Sequence, residues 1–522
     1  MKKIIISTFA ISALLFTTSC EDDFDTDVQD IVVTKGEADF SNYISIGNSL
    51  TSGYRDNALY IDGQNESYPN IIAGQMKLAG GGNFVQPLMA DNNGGLILLG
   101  NTIQATKLYI KSFTNGSPDI VNVAATPTTD VLTKITGPLN NFGVPGAKSY
   151  HLVASGYGNA AGILLGTANP YYVRFSTSTT STVIDDAVLK HPTFFSYWIG
   201  NNDVLSYATN GGTNSTTVGG VTTYTPATVQ TSVDATTYKP NDISSPTLVA
   251  GAIKAGLDKL KAGGTTKGVI ANIPYVTSIP FFTTVPYNPL TPALLGSNIT
   301  ALNTNIYGPL KQVLTGLGAG DRFNLLSATN TNPVLIKDTS LTDYNDAIRT
   351  ALTPALGLPT ATLYGQLYGQ ARQATVEDYV LLTTKSVIGT NATGIPTGLN
   401  VYGISYPLQN QHILTKTETG VVKTAVDAYN TSIKALADTY GLAFVDANKK
   451  MVDLNGKSGI SWDGVKYSAK FVTGGTFSLD GVHLTGRGYA IVANEFIKAI
   501  NDKYKSTLPQ VDPNKYSGVK FP

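Results

Sequence analysis

Cysteine is nearly absent from this chain, which has one residue of that type, Cys20, among 522. An intramolecular disulfide is therefore excluded, and so is a metal site built from thiolates. Charge is scarce as well. Only 14% of residues are charged, and Lys+Arg and Asp+Glu both number 36, so the formal net charge is zero. With no basic excess to neutralise a phosphate backbone, a nucleic-acid partner is not expected. Loss of a leader containing Lys2 and Lys3 would leave the net charge at about −2, which does not alter that conclusion. Beyond Phe16 no apolar run is long enough to span a bilayer. The composition is instead rich in Gly (52 residues), Thr and Asn, the make-up of a loop-rich, uncharged polar surface. The length allows several average domains or one large domain carrying insertions.

The lone cysteine sits where its position has meaning. Met1-Lys2-Lys3 is a short basic start, Ile4 to Phe16 is an apolar run too short for a comfortable span, and Thr17-Thr18-Ser19 leads into Cys20. These are the three regions of an export signal rather than of a transmembrane helix. The segment resembles a bacterial lipoprotein leader, which implies cleavage after residue 19 and lipidation of Cys20. Such leaders usually carry Leu three residues before the Cys, where this chain has Thr17. Glu21-Asp22-Asp23 resembles the acidic surface-export signal of Bacteroidetes lipoproteins. The expectation is an exported protein, lipid-anchored at the outer membrane or cell surface; the alternative is an ordinary cleaved signal that leaves a free thiol. Residues 20–40 are acidic and then mixed, without a period, and are expected to form a tether.

From about residue 41 short β-branched or aromatic runs alternate with amphipathic segments, the pattern of an α/β domain with a parallel sheet. Strands are predicted at Tyr43–Ile46, Thr193–Ile199, Gly268–Ile273 and Leu442–Asp446. Helices are predicted at Pro246–Ala262, Thr424–Tyr440 and Gly488–Lys503, the first with Ser245 as N-cap and Pro246 at the first helical position. Two long polar stretches interrupt the alternation. Residues 208–245 suit a β-hairpin or a loop, and 286–410 mix helical patterns without a recognisable motif. Both read as insertions into one domain over 41–506, available to form a lid, with 507–522 as a C-terminal tail.

Three segments join a strand end or loop, a glycine and a reactive or polar side chain. In Gly47-Asn48-Ser49-Leu50 a serine follows a strand, so its hydroxyl can face the crevice at the sheet's carboxyl edge, where open α/β sheets bind ligands. Gly200-Asn201-Asn202-Asp203 ends a second strand. In Asp480-Gly481-Val482-His483 the spacing lets the carboxylate fold back onto Nδ1–H of the imidazole, which leaves Nε2 free to accept from a serine hydroxyl. His483 is one of four histidines, and neither His191 nor His412 has so close an acidic neighbour.

Together these segments resemble the SGNH (GDSL-like) hydrolases. Gly47-Asn48-Ser49-Leu50 is similar to their first block, Asn141-Phe142-Gly143-Val144-Pro145-Gly146 to the second, Gly200-Asn201-Asn202-Asp203 to the third and Asp480-Gly481-Val482-His483 to the last. The resemblance covers roughly 41–75, 140–150, 190–206, 246–282 and 424–503. It implies a flavodoxin-like three-layer α/β/α sandwich with large insertions. It also implies a Ser49 nucleophile, a His483 base oriented by Asp480, and an oxyanion hole from the N–H groups of Ser49 and Gly146 and the side chain of Asn202. Gly143 competes with Gly146 for that role; the distance of Gly146 from Asn141 is the one that matches the family's pattern. The family usually has Asp where this chain has Asn48, and Asn keeps the size and most of the hydrogen-bonding capacity of a scaffold residue. Preorganised donors at a developing oxyanion are each commonly worth about 3–4 kcal/mol, and such chemistry requires neither metal nor cofactor.

The expected function is that of an esterase or lipase forming an acyl-Ser49 intermediate. One alternative is a carbohydrate O-acetylesterase acting on polysaccharide; the other is a non-catalytic surface module for glycan binding or adhesion on the same scaffold. Pro280-Phe281-Phe282 and the apolar 290–316 stretch are available to line a trough for a longer acyl chain, or to serve as ordinary core.

Overall fold

The computed structural model describes residues 32–114 and 116–522. Its centre is a sheet of five strands: β1 (Tyr43–Gly47), β2 (Asn141–Gly143), β3 (Phe194–Trp198), β4 (Gly268–Ala271) and β5 (Ala443–Val445). All pairings are parallel and the order is β5-β4-β3-β1-β2. Every residue of β1 and β3 is buried. Parallel strands covered on both faces are apolar runs without alternation, and this is why the two read so clearly in sequence. Three polar side chains inside the sheet are linked: Tyr43 Oη lies 2.7 Å from Ser196 Oγ, which lies 2.9 Å from Ser45 Oγ. The winding reverses between β1 and β3, which opens a crevice at their carboxyl ends.

The helices that matter for the site are α1 (Ser49–Ser52), α2 (Tyr68–Leu78), α3 (Val183–Val188), α4 (Asn202–Thr209), α5 (Pro246–Ala262), α6 (Lys416–Thr439), α7 (Ala447–Asn455) and α8 (Gly486–Tyr504). Helix α2 packs on α8, with the Tyr68 and Phe496 rings stacked at 4.7 Å, while α5 packs on both α3 and α6. The sheet is thus flanked by two groups of helices, an arrangement compatible with three α/β/α layers. Helix α5 has the predicted bounds. Helix α6 starts eight residues before the predicted Thr424, because Thr415 and Glu418 form a capping box there. Helix α8 begins at Gly486, with the Thr485 side chain accepting from the Gly488 N–H.

The expected tether and tail do not survive in the described residues. Thr34 N donates to Thr507 Oγ1 (2.8 Å), Glu37 N donates to the Tyr504 carbonyl (2.7 Å), and Phe40 is buried edge-on to Phe194. Leu508 and Val511 are buried, and the Val511 backbone pairs with the Asn494 amide. Residues 32–40 and 507–511 therefore pack against α8 and its neighbours. Cys20 and the leader lie outside the described residues.

Within 208–245, Thr213–Val218 and Val221–Pro226 form a hairpin turned at Gly219-Gly220, two residues with positive φ as a two-residue turn requires. The stretch predicted as the 286–410 insertion is built around its own hydrophobic cluster, from Val285 to Ile413. A further elaboration was not anticipated from the sequence: two hairpins, Leu96–Leu98 with Asn101–Gln104 and Leu108–Thr114 with Ser117–Asn122. Among the described residues no helix is long and apolar enough to cross a membrane.

Candidate active site

The crevice is organised first by backbone. Gly47 ends β1 so close to β3 that a Cβ there would lie 2.4 Å from the Trp198 carbonyl oxygen, which no side chain tolerates. The chain then turns at once into α1. Asn48 is its N-cap: the side-chain oxygen accepts from Leu50 N (3.1 Å), and the amide donates to Asn201 Oδ1 (3.3 Å). This is the scaffold role expected at that position, with an added tie to the third block that a carboxylate could not donate. The α1 turn is fixed from below by Thr51, whose hydroxyl meets Tyr68 Oη (3.0 Å) and whose carbonyl accepts from Asn141 Nδ2 (3.0 Å). Ser49 occupies the first helical position, where the backbone N–H has no intrahelical acceptor.

The structure brings Ser49, His483 and Asp480 together across 434 residues of chain. Ser49 Oγ lies 2.9 Å from His483 Nε2, and His483 Nδ1 lies 2.9 Å from Asp480 Oδ2. Asp480 is held from several sides. Its Oδ1 accepts from the backbone N–H of Val482 and His483 (both 2.8 Å) and from Ser478 Oγ (3.1 Å), while Oδ2 also accepts from Asn57 N (2.9 Å). Burial alone would raise its pKa. The facing imidazole and these donors more than offset that and hold the carboxyl well below the usual range. The Asp480 side chain keeps 9% of its surface exposed and that of His483 15%, so the dyad is shielded but reachable.

Several supporting residues escaped the sequence reading. Asp56 and Asn57 both have left-handed φ (52° and 60°), and that twist points the Asn57 N–H at Asp480. Asp56 N donates to Ser478 Oγ (2.9 Å), and Asp56 Oδ1 accepts from Leu479 N (3.1 Å). The Tyr54 ring lies 4.7 Å from the His483 ring, and its hydroxyl donates to the Asn57 carbonyl (2.7 Å). The one local signal in 54–57 was Asp-Asn, a pair that tolerates left-handed φ; its partner more than four hundred residues away left no trace.

The second and third blocks meet as well. Asn202 Nδ2 donates to the Ala147 carbonyl (2.9 Å), and the buried Asp203 accepts from Ser149 N (2.8 Å) and Ser149 Oγ (2.9 Å). Burial raises the pKa of Asp203, against the pull of these donors and of Lys148. On the other side Asn169 Nδ2 holds the Pro145 carbonyl (2.8 Å). Gly146, pinned between these anchors, is exposed with φ +80°, and its N–H meets no acceptor among the described residues. Gly143, the competing donor, is instead the last residue of β2, its N–H bonded to Asn141 Oδ1 (2.9 Å).

No family model, curated protein or solved structure matches this chain.

Of the other histidines, His151 stacks on Tyr157 and accepts from Lys148 N through Nδ1, and burial lowers its pKa to about 3. His412 accepts from Gln409 N, with its pKa lowered by burial to about 4. Both are neutral structural acceptors at ordinary pH. Among the described residues no three His, Cys, Asp or Glu side chains converge as metal ligands would. Ser49, Asn202 and His483 share one cavity of about 110 Å³, several times what a single water needs.

Proposed function

We propose that the protein is a serine ester hydrolase of the SGNH type on a flavodoxin-like three-layer sandwich. The observation that carries this reading is the unbroken hydrogen-bond chain from Ser49 Oγ through His483 to Asp480, with both links at 2.9 Å. With Nδ1–H committed to Asp480, Nε2 is left as the acceptor for the serine proton.

In the reaction Ser49 Oγ attacks the ester carbonyl carbon while His483 Nε2 takes its proton. The carbonyl π electrons move to oxygen, and the resulting oxyanion faces the N–H groups of Ser49 and Gly146 and the side-chain amide of Asn202. Collapse breaks the bond to the alkoxy oxygen, which leaves with the proton from His483. A water molecule then gives its proton to the same nitrogen and attacks the acyl-Ser49 carbonyl, and the acid departs as Ser49 recovers its proton. Asp480 orients the ring and stabilises its charged form throughout without taking the proton. The leader motif adds a second proposal, that the enzyme is exported and anchored through lipid on Cys20.

The test uses protein beginning at Glu21, with Ser49→Ala beside it, on aryl esters from acetate to palmitate and on acetylated xylan. Wild type is expected to hydrolyse aryl esters and to be labelled at Ser49 by an organophosphonate, and the variant to lose at least roughly a hundredfold. Turnover confined to the xylan would reassign the enzyme as a carbohydrate acetylesterase. No turnover and no label would leave a binding module.

A further inference from the structure

The cavity behind Ser49 is much more apolar than an ester carbonyl requires, and this points to the half of the substrate it receives. Ser49, Asn202 and His483 line its catalytic end. Beyond them the walls come from two helices that each turn one face inward. Helix α7 contributes Ala447, Lys450, Met451 and Leu454, and α8 contributes Gly488, Ile491, Val492 and Glu495. Both sets are spaced i, i+3, i+4, i+7, the stripe that one side of a helix offers to a neighbour. The lining along α8 from Gly488 to Glu495 advances by about 10 Å. Lys450 and Glu495 pair at 2.7 Å, each about one-quarter exposed, so neither is a free charge for an anionic or cationic ligand. Elsewhere polar groups are concentrated at the catalytic end, so a sugar ring would lose its water there without finding partners.

We propose, on the basis of the ester-hydrolase reading above, that this cavity binds the acyl chain of the substrate and that the Lys450–Glu495 pair sets its upper length. The ligand class is a medium-length aliphatic acyl ester, hexanoyl to decanoyl. The acyl half belongs there because it stays on Ser49 after the alcohol has left, so the cavity beside Ser49 holds the group that departs last. A longer chain must press methylenes against an ion pair, which costs that pair its solvation without return. Four of the residues available for an acyl trough lie in hydrophobic cores instead. Phe281 and Phe282 belong to the main core, and Leu310 and Leu314 to the core of the 285–413 region.

The experiment is a chain-length series with two geometric variants and one binding measurement. For wild type, kcat/KM on p-nitrophenyl esters should rise about fourfold per added methylene up to the decanoate and then fall. Ile491→Trp, which fills the cavity, should lower the decanoate-to-acetate ratio at least tenfold, and Lys450→Ala/Glu495→Ala should move the optimum to longer chains. Methyl decanoate should be hydrolysed faster than decyl acetate, which carries the same chain on the alcohol side. Calorimetry should show decanoate binding to Ser49→Ala protein and no binding once Ile491→Trp is added. A flat series with unchanged ratios, or preference for decyl acetate, overturns the acyl assignment while leaving serine hydrolysis intact. Decanoate binding that Ile491→Trp abolishes, in a protein that hydrolyses nothing, upholds the pocket and sinks the hydrolase reading instead.

Discussion

Two regions of this molecule bury an aspartate against a basic side chain, and they use the pair in opposite ways. In the 285–413 region the Arg372 guanidinium is held by two carboxylates and by the Gln373 carbonyl, to which Nη1 donates (3.2 Å). Its Nε donates to Asp338 Oδ2, and both terminal nitrogens donate to Asp378, each at 2.7 Å. Asp378 also accepts from Thr375 N and, across to the main domain, from Lys416 N at the start of α6 (2.8 Å). Each partner is saturated, so the cluster can only hold. At the sheet edge Asp480 is saturated in the same manner, but its partner is an imidazole with a second nitrogen. That nitrogen reaches Ser49 at a cavity. A planar, permanently charged fork suits a joint; a ring that binds and releases a proton at its far side suits chemistry.

Breaking each pair should therefore register on different instruments. Asp480→Asn is expected to have the largest effect, a fall in kcat of about 10⁴-fold on an aryl ester with circular dichroism unchanged, because the ring loses the acceptor that fixes its tautomer. Arg372→Ala should barely touch the chemistry of folded protein but should cost about 3–5 kcal/mol in a denaturant melt, since two buried carboxylates lose their counter-charge. A melt unchanged by Arg372→Ala would mean that the joint carries no load. Asn202→Ala should reduce kcat about 10²–10³-fold with little change in KM, as expected of a donor to a developing oxyanion. Equal loss in both parameters would demote Asn202 to a tether for the Ala147 carbonyl.

The same contrast explains what the sequence could disclose. β1 and β3 were legible because strands buried on both faces are continuous apolar runs, and the Asp480-to-His483 geometry because it is closed within a single turn. Ser49 and His483 were separately visible, yet their meeting depended on the resemblance of the blocks. β2, three residues long, has no period to detect, and its residues were read only as a motif. Thr415-Lys416-Thr417-Glu418 was a readable capping box that would have placed the start of α6 correctly. The clamp of 32–40 on the C-terminal segment, the Asp56-Asn57 brace and the Arg372 joint could not be read. Each pairs side chains with backbone far away in sequence, and such pairs impose no periodicity. Of the two helices that line the cavity, α7 was not expected and α8 was: Ile491 and Val492 follow an ordinary amphipathic stripe, and only the fold reveals that this stripe faces a cavity rather than another side chain.

The Arg372 region has one feature that the Asp480–His483 pair lacks, a surplus of acid. Glu418 lies half-buried at the head of α6, its carboxylate accepting from Thr415 N (2.8 Å) and Thr415 Oγ1 (2.9 Å). Burial is the main cause raising its pKa to about 7, and Asp338 and Asp378 add to the effect. A carboxyl whose pKa is higher folded than unfolded favours the fold fully below the ordinary carboxyl range. That contribution is lost as the pH rises through about 7, because the folded chain must then ionise a group that the unfolded chain ionises freely. Glu418→Gln keeps an acceptor for the capping box and removes the ionisation. The variant should match wild type in denaturant melts near pH 4 and exceed it by about 3 kcal/mol at pH 9. No divergence across that window would mean that the Glu418 charge is already neutralised, and the picture of three carboxylates crowding one guanidinium would have to give way to one in which each is separately satisfied.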